Sequence, residues 1–148
     1  MKILTVTFFG NRIVARDIEA VLEKTIRRLV QLENANLFYV GNNGEFDAIV
    51  ASVLGRISKE LHNVNYCVVL AYMSTQKEEK TTEQNDKTIF PEEVAKSIPR
   101  FAISRRNDWM LKNSEIVVTY VKNKFGCAEK YRQKAIRQGK RVINIAEL

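Results

Sequence analysis

Cysteine and histidine are scarce in this chain: two cysteines, Cys67 and Cys127, and one histidine, His62, among 148 residues. So few, and so far apart, they supply neither the spacing of a metal site nor a disulfide framework. Cys127 has no histidine near it in sequence to activate it, and His62 falls at the end of a predicted helix, on the surface. A Cys-His or Ser-His catalytic pair is therefore not expected. Long apolar runs are missing too, and none approaches the roughly 20 residues that a membrane span needs. The opening Met1-Lys2-Ile3-Leu4-Thr5-Val6 lacks the small-residue cleavage site of a secretory signal and passes directly into Asn11-Arg12 and a charged helix. It reads as the first strand of a cytoplasmic protein, with no membrane partner, no metal and no cofactor expected.

What is present suits one globular domain over residues 1–148, long enough to bury a core. The net charge is +7, unevenly placed. Between positions 96 and 141 stand thirteen lysines and arginines, against only Asp108, Glu115 and Glu129. A basic second half suits a phosphate-bearing ligand or a nucleic acid; a solvated basic surface is the plainer alternative.

Periodicity divides the chain. Ile18, Val21, Leu22, Ile26, Leu29 and Val30 make one apolar helical face, with Asp17 as a cap. A second helix is predicted over 46–61, with Ile49, Val50, Val53, Leu54 and Ile57 inward. Strands are predicted near 3–9, 37–40, 66–72, 115–121 and 141–145, each a short continuous apolar run of the kind covered on both faces. Residues 74–90 form a polar insert, a surface loop or lid. Pro91 opens a short helix, and a longer one begins near Ser97-Ile98-Pro99 and runs to about residue 113. A last helix over 128–138 ends at Gly139 as its C′ residue. The order predicts an α/β, Rossmann-like three-layer sandwich of about five mainly parallel strands.

Three of these strands run into a glycine-bearing polar turn, at Gly10-Asn11-Arg12, Gly41-Asn42-Asn43-Gly44 and Lys122-Asn123-Lys124-Phe125-Gly126. In a parallel sheet such turns gather at the carboxyl edge, where ligands bind. Arg12 beside free helix-start N–H groups can grip a phosphate in two-pronged fashion, or pair with Asp17. Asp47 lies three residues after Gly44 and would repel a phosphate; it is either a helix cap or a partner for a ribose hydroxyl or an amine. Stepping from Phe101 gives Phe101, Arg105 and Trp109, which puts Arg105 on the stripe that should be buried. An unpaired buried Arg is costly. Arg105 therefore pairs with Asp47 or Glu129, or projects into an anion pocket, and Arg106 and Asn107 are further candidates. Lys122 and Asn123 add charge and polarity beside Gly126. Trp109 and Phe125 are expected to be buried.

These segments, in this order, resemble the SLOG superfamily, the Rossmann-like group that includes the lonely-guy phosphoribohydrolases and the DNA-processing protein A fold. The closer likeness is to its small bacterial and phage members. The resemblance is carried by Phe9-Gly10-Asn11-Arg12, by the turn from Tyr39 to Asp47, by Ile103-Ser104-Arg105-Arg106-Asn107-Asp108-Trp109-Met110, and by Phe125-Gly126-Cys127-Ala128-Glu129. It implies a nucleotide or nucleotide-derived ligand, such as an ADP-ribose-like molecule, at the sheet's carboxyl edge. The phosphoribohydrolase branch cleaves with an Arg and a Glu, for which Arg105 and Glu129 are the counterparts. Glu129 falls one position before the expected Glu, where Lys130 stands, and the multi-glycine turn is reduced to Gly126. Binding or sensing of a nucleotide is thus the first expectation. An N-glycosidase on nucleoside monophosphates is the second, and nucleic-acid binding through the basic half the third. A homo-oligomer is also expected, with apolar side chains on the 101–110 helix as its face.

Overall fold

The computed structural model describes residues 3–12, 14, 17–72, 87–122 and 124–148. The candidate Asn123 and most of the polar insert lie outside the described residues. The elements are β1 (Leu4–Gly10), α1 (Ile18–Glu33), β2 (Ala35–Val40), α2 (Glu45–Glu60), β3 (Asn65–Val69), β4 (Thr88–Ile89), α3 (Glu92–Ala95), α4 (Ala102–Lys112), β5 (Ile116–Tyr120), α5 (Cys127–Arg137) and β6 (Arg141–Asn144). The strands form one sheet in the order β4-β3-β2-β1-β5-β6, and every pair is parallel. This is the Rossmann-like α/β sandwich that the sequence pattern predicts.

Why the strands read as unbroken apolar runs is plain from their two faces. Val6 and Phe8 of β1, with Ile116, Val118 and Tyr120 of β5, enter the core under α1 and α2. Phe9 and Val117, the alternate residues, enter a second core with Met110, Leu111, Tyr131 and Ala135 of α4 and α5. A period of two sends neighbours to opposite faces, and helices cover both, so both faces are mainly apolar, with Thr5, Thr7 and Thr119 as the buried polar exceptions in β1 and β5. α1 ends at Asn34 in the left-handed conformation (φ 60°), and its N–H bonds to the Leu29 carbonyl.

Three local expectations change. The sheet has six strands, because Thr88 and Ile89 add a short edge beside Val68 and Val69. Two residues carry no readable period. Asp17 stands at the start of α1 but makes no side-chain capping bond. Ser97 does not cap the long helix: its hydroxyl donates to the Val94 carbonyl at 2.6 Å, closing α3. Pro99–Phe101 then form a 3-10 turn ahead of α4. That small insertion decides which arginine is buried.

Candidate functional site

Strand β1 has β2 on one side and β5 on the other, so the chain winds away from it in both directions. The crevice outside the carboxyl ends of β1 and β5 is the switch point of the sheet, the favoured ligand position in open α/β folds. Asn11 stitches it together. Its backbone N–H donates to the Tyr120 carbonyl at 3.0 Å, and its side-chain Oδ1 accepts the Lys122 N–H at 3.0 Å. A cleft of about 700 Å³ opens there. Of the candidate residues, Gly10, Asn11, Arg12, Asn43, Asp47, Arg106, Asn107, Lys122 and Gly126 border it. Gly41, Asn42 and Gly44 stand outside its lining.

Arg105 is exposed, contrary to its place on the predicted buried stripe, and Arg106 is the buried one at 2% exposure. The stripe was counted from Phe101, which belongs to the 3-10 turn and is itself exposed. Starting α4 at Ala102 shifts the inward phase to Ala102, Arg106, Asn107, Met110 and Leu111. Four of the five guanidinium N–H groups of Arg106 meet oxygen acceptors. Its Nε donates to Asn107 Oδ1 at 2.9 Å and its Nη2 to Asn43 Oδ1 at 3.0 Å. Its Nη1 reaches the Val69 carbonyl at 3.2 Å and Asn42 Oδ1 at 3.3 Å. One guanidinium thus ties α4 to the end of β3 and to both asparagines of the β2 turn. Asn42 is therefore a holder of Arg106 and not itself a wall of the cleft.

Room for this clip is made by Gly41. A Cβ there would lie 2.8 Å from the Arg106 guanidinium carbon and 2.9 Å from Asp47 Oδ2. The Asp47 carboxylate is half-buried and accepts the Asn43 N–H at 2.9 Å. Burial pushes its pKa up, and the Asn43 N–H and the nearby Arg106 charge pull against that rise. For Arg106 the balance is mirrored: burial lowers its pKa, and Asp47 opposes the fall. A carboxyl whose folded pKa is raised contributes stability below its unfolded pKa and loses it as pH rises through the folded value. Asp47→Asn is therefore expected to gain stability on the wild type as pH rises from about 4 to 7. Thermal midpoints of both proteins across that range check this; a constant difference would refute the titration of Asp47 in that window.

Two helix N-termini face the cleft region, and they differ in polarity. Both begin at glycines with positive φ, Gly44 at 97° and Gly126 at 112°, and neither has a side-chain cap. The start of α2 is already occupied and acidic. The Glu45 carboxylate accepts the Val14 N–H at 3.1 Å, the Glu45 N–H donates to the Arg12 carbonyl at 2.9 Å, and Asp47 follows. The start of α5 has Lys122 and Lys124 in the turn before it, and Gly126, Cys127 and Ala128 border the cleft. Backbone N–H groups and dipole there favour an anion.

Glu129 lies in the first turn of α5 without bordering the cleft. Its carboxylate accepts from the Gln133 amide at 2.7 Å and from Arg132 Nε at 3.0 Å. The Gln133 hydrogen bond, with help from Arg132, holds its carboxyl below the usual range. These partners lie at i+3 and i+4, so the sequence carried the signal for a helix-surface pair. Phe125 corrects a second expectation: it is 82% exposed, at the mouth of the cleft. Tyr131, not anticipated, forms part of the wall. It stacks on Phe9 with centroids 5.0 Å apart, and its hydroxyl donates toward the Ser104 carbonyl and Asp108 Oδ1. Burial, first among its causes, pushes its pKa up to about 12.

No protein-family model matches the chain, and no curated protein matches it by sequence. Solved structures do. The structure of DNA processing protein A from Streptococcus pneumoniae superposes on 95% of this chain with a TM-score of 0.65 and 14% identity. The chain has the DNA processing protein A fold. A second structure with this fold, from Helicobacter pylori and described for its single-stranded DNA binding mode, covers 94% of the chain with a TM-score of 0.64 and 13% identity. The chain spans 49% of the first protein and 63% of the second. The likeness is one of fold, and it agrees with the Rossmann-like arrangement implied by the turn motifs. Among the described residues, no helix is long and apolar enough to cross a membrane.

Proposed function

We propose that the cleft between β1 and β5 binds a nucleotide unit of single-stranded nucleic acid. The observation that carries this is the pairing, on one cleft, of an open cationic anion site with an exposed aromatic ring. Lys122 and the N–H groups after Gly126 offer the anion site, and Arg12 stands on the same lining. Phe125, exposed at the mouth, offers a face on which a base can stack. That combination of basic track and stacking platform is the common chemistry of single-strand binding. The acidic wall at Asp47 keeps phosphate to the α5 side and leaves hydroxyl or amine groups of the sugar or base for the other. The single-stranded DNA binding described for the Helicobacter pylori protein of the same fold lends support.

Fluorescence anisotropy with labelled single strands and duplexes tests it. Phe125→Ala is expected to weaken single-strand binding by about 1–3 kcal/mol, or roughly 5- to 150-fold. An exposed side chain leaves the thermal midpoint nearly unchanged. Equal affinity for the variant and the wild type would sink the stacking role, and stronger duplex than single-strand binding would sink the reading itself.

A free nucleotide is the second reading, favoured by Asp47 and Asn43 on the wall, which supply acceptors for one small ligand. Native mass spectrometry for a co-purifying nucleotide separates it from the first. A hydrolytic version would have to take its carboxylate from Asp47, because Glu129 does not border the cleft.

A further inference from the structure

The outer surface of α4 and α5 carries a second concentration of positive charge that the cleft does not use. The two helices lie side by side and parallel, with register fixed by three contacts. The Tyr131 hydroxyl lies 3.1 Å from both the Ser104 carbonyl and Asp108 Oδ1, sharing its one proton between them, and Lys134 Nζ donates to Asp108 Oδ1 at 2.7 Å. A residue on α4 therefore lies beside residues 23 to 27 positions later on α5, as the same contacts show.

Helical spacing then places the bases. Lys130, Lys134 and Arg137 fall at i, i+4 and i+7 along one stripe of α5. Arg105 and Lys112 fall at i and i+7 along the outer face of α4. The groove between them is flanked by these five bases, and its one acid, Asp108, is already held by Lys134 and the Tyr131 hydroxyl. Arg105, Lys112, Lys130 and Arg137 form no ion pair with any described residue. With a 1.5 Å rise per residue, each row runs about 10 Å.

The groove is continuous with the cleft. Both helices start at the carboxyl edge, and Ile103 and Cys127 of their first turns, with Tyr131 one turn into α5, border the cleft. Lys130 and Lys134 lie 5.8 Å and 5.6 Å from the centroid of that same Tyr131 ring. Like charges set in two open rows, four of the five without a carboxylate partner among the described residues, are complementary to a polyanion that spreads its charge along the same direction.

We propose that this α4–α5 groove holds the phosphates of the same single strand as it leaves the cleft, so that the protein follows an extended phosphodiester chain and not one nucleotide alone. The proposal rests on the cleft reading, and the test separates the two. The full chain and a Lys112→Gln, Arg137→Gln double variant are titrated with oligothymidylates of about 5 and about 20 nucleotides over a salt series. Both substituted side chains are exposed and stand outside the cleft lining, so the fold and the cleft are untouched.

The double variant is expected to bind the long oligomer several-fold more weakly, with a salt slope flatter by about 1.4, at about 0.7 for each lost phosphate contact. Its affinity for the short oligomer stays as in the wild type. An unchanged slope with the long oligomer, or equal loss for both lengths, overturns the groove. Competition by polyglutamate as effective as the long oligomer at equal charge overturns it in favour of an acidic protein. Long-oligomer binding that falls in the double variant but ignores Lys122→Gln and Phe125→Ala sinks the cleft and keeps the groove. No binding of either oligomer to the wild type removes both.

Discussion

Arg106→Met is expected to cost the fold several kcal/mol, whereas Arg105→Met costs almost nothing. The contrast follows from what each side chain touches. Arg105 is exposed and makes no ion pair with a described residue. Arg106 is buried and satisfies the Val69 carbonyl and the side-chain oxygens of Asn42, Asn43 and Asn107. Methionine fills a similar length but donates nothing. Each buried acceptor left without a donor costs about 1–3 kcal/mol. Asp47 also loses the nearby positive charge that restrains its upward pKa shift. One effect runs the other way: removing a buried cation relieves its desolvation, the main reason the Arg106 pKa is lowered. Asn42 is exposed and Asn43 borders the cleft, so water can satisfy both, and the Val69 carbonyl and Asn107 set the cost. At about 1 kcal/mol or more each, they outweigh that relief, which the existing hydrogen bonds already offset in part. Arg106→Lys should fall between, since an ammonium presents a compact point charge and not a planar fork that spans four acceptors. Urea denaturation of the three variants measures the order. Equal stability of the Arg105 and Arg106 methionine variants would mean that the clip does not hold these elements.

That pair of arginines also marks the limit of what the sequence pattern spells out. Strands and helices were legible because burial on two faces writes unbroken apolar runs, and burial on one writes a three-to-four step. The three turns were legible for a related reason: Gly10, Gly41, Gly44 and Gly126 sit where a side chain would collide or a positive φ is needed. Phase within α4 was not legible. Phe101 closes the 3-10 turn Pro99–Phe101 as an exposed residue, so a stripe that takes it as the first inward residue lies one position before the true one, which starts at Ala102. The error is small in sequence and large in chemistry, since it exchanges a surface cation for a buried one. Phe125 failed differently. Residue type argued for the interior, but an apolar residue in a short turn has no periodic neighbours to carry it inward. Glu129 resembles a catalytic position, but Arg132 and Gln133 at helical spacing hold it on the helix surface. The edge strand Thr88–Ile89 is too short for any period to show.

Gly10→Ala is expected to lower stability by roughly 3 kcal/mol and to disturb the cleft at its base. Overpacking a tight core costs about 1–3 kcal/mol and occasionally more, and this site is at the severe end. A Cβ on Gly10 would lie 2.3 Å from Cγ and Cδ2 of Phe46 and 2.8 Å from Cδ1, well inside contact distance. The ring cannot easily withdraw. Phe46 is buried, belongs to the main core and stacks on Tyr120 at 6.2 Å between centroids. It also stands in the first turn of α2, one residue from Asp47, so a shift of the ring carries the acidic side of the cleft with it. For a protein of this size, 3 kcal/mol lowers the thermal midpoint by roughly 6–12 °C. A double-mutant cycle supplies the decisive test. Phe46→Leu alone leaves a void and destabilises, but in the presence of Gly10→Ala the smaller side chain yields the space that the new methyl needs. The two substitutions together should therefore cost less than the sum of their separate costs, by about 1 kcal/mol or more. Simple additivity would show that the Gly10 backbone does not depend on the Phe46 ring, and that the base of the cleft is looser than the packing of β1 against α2 requires.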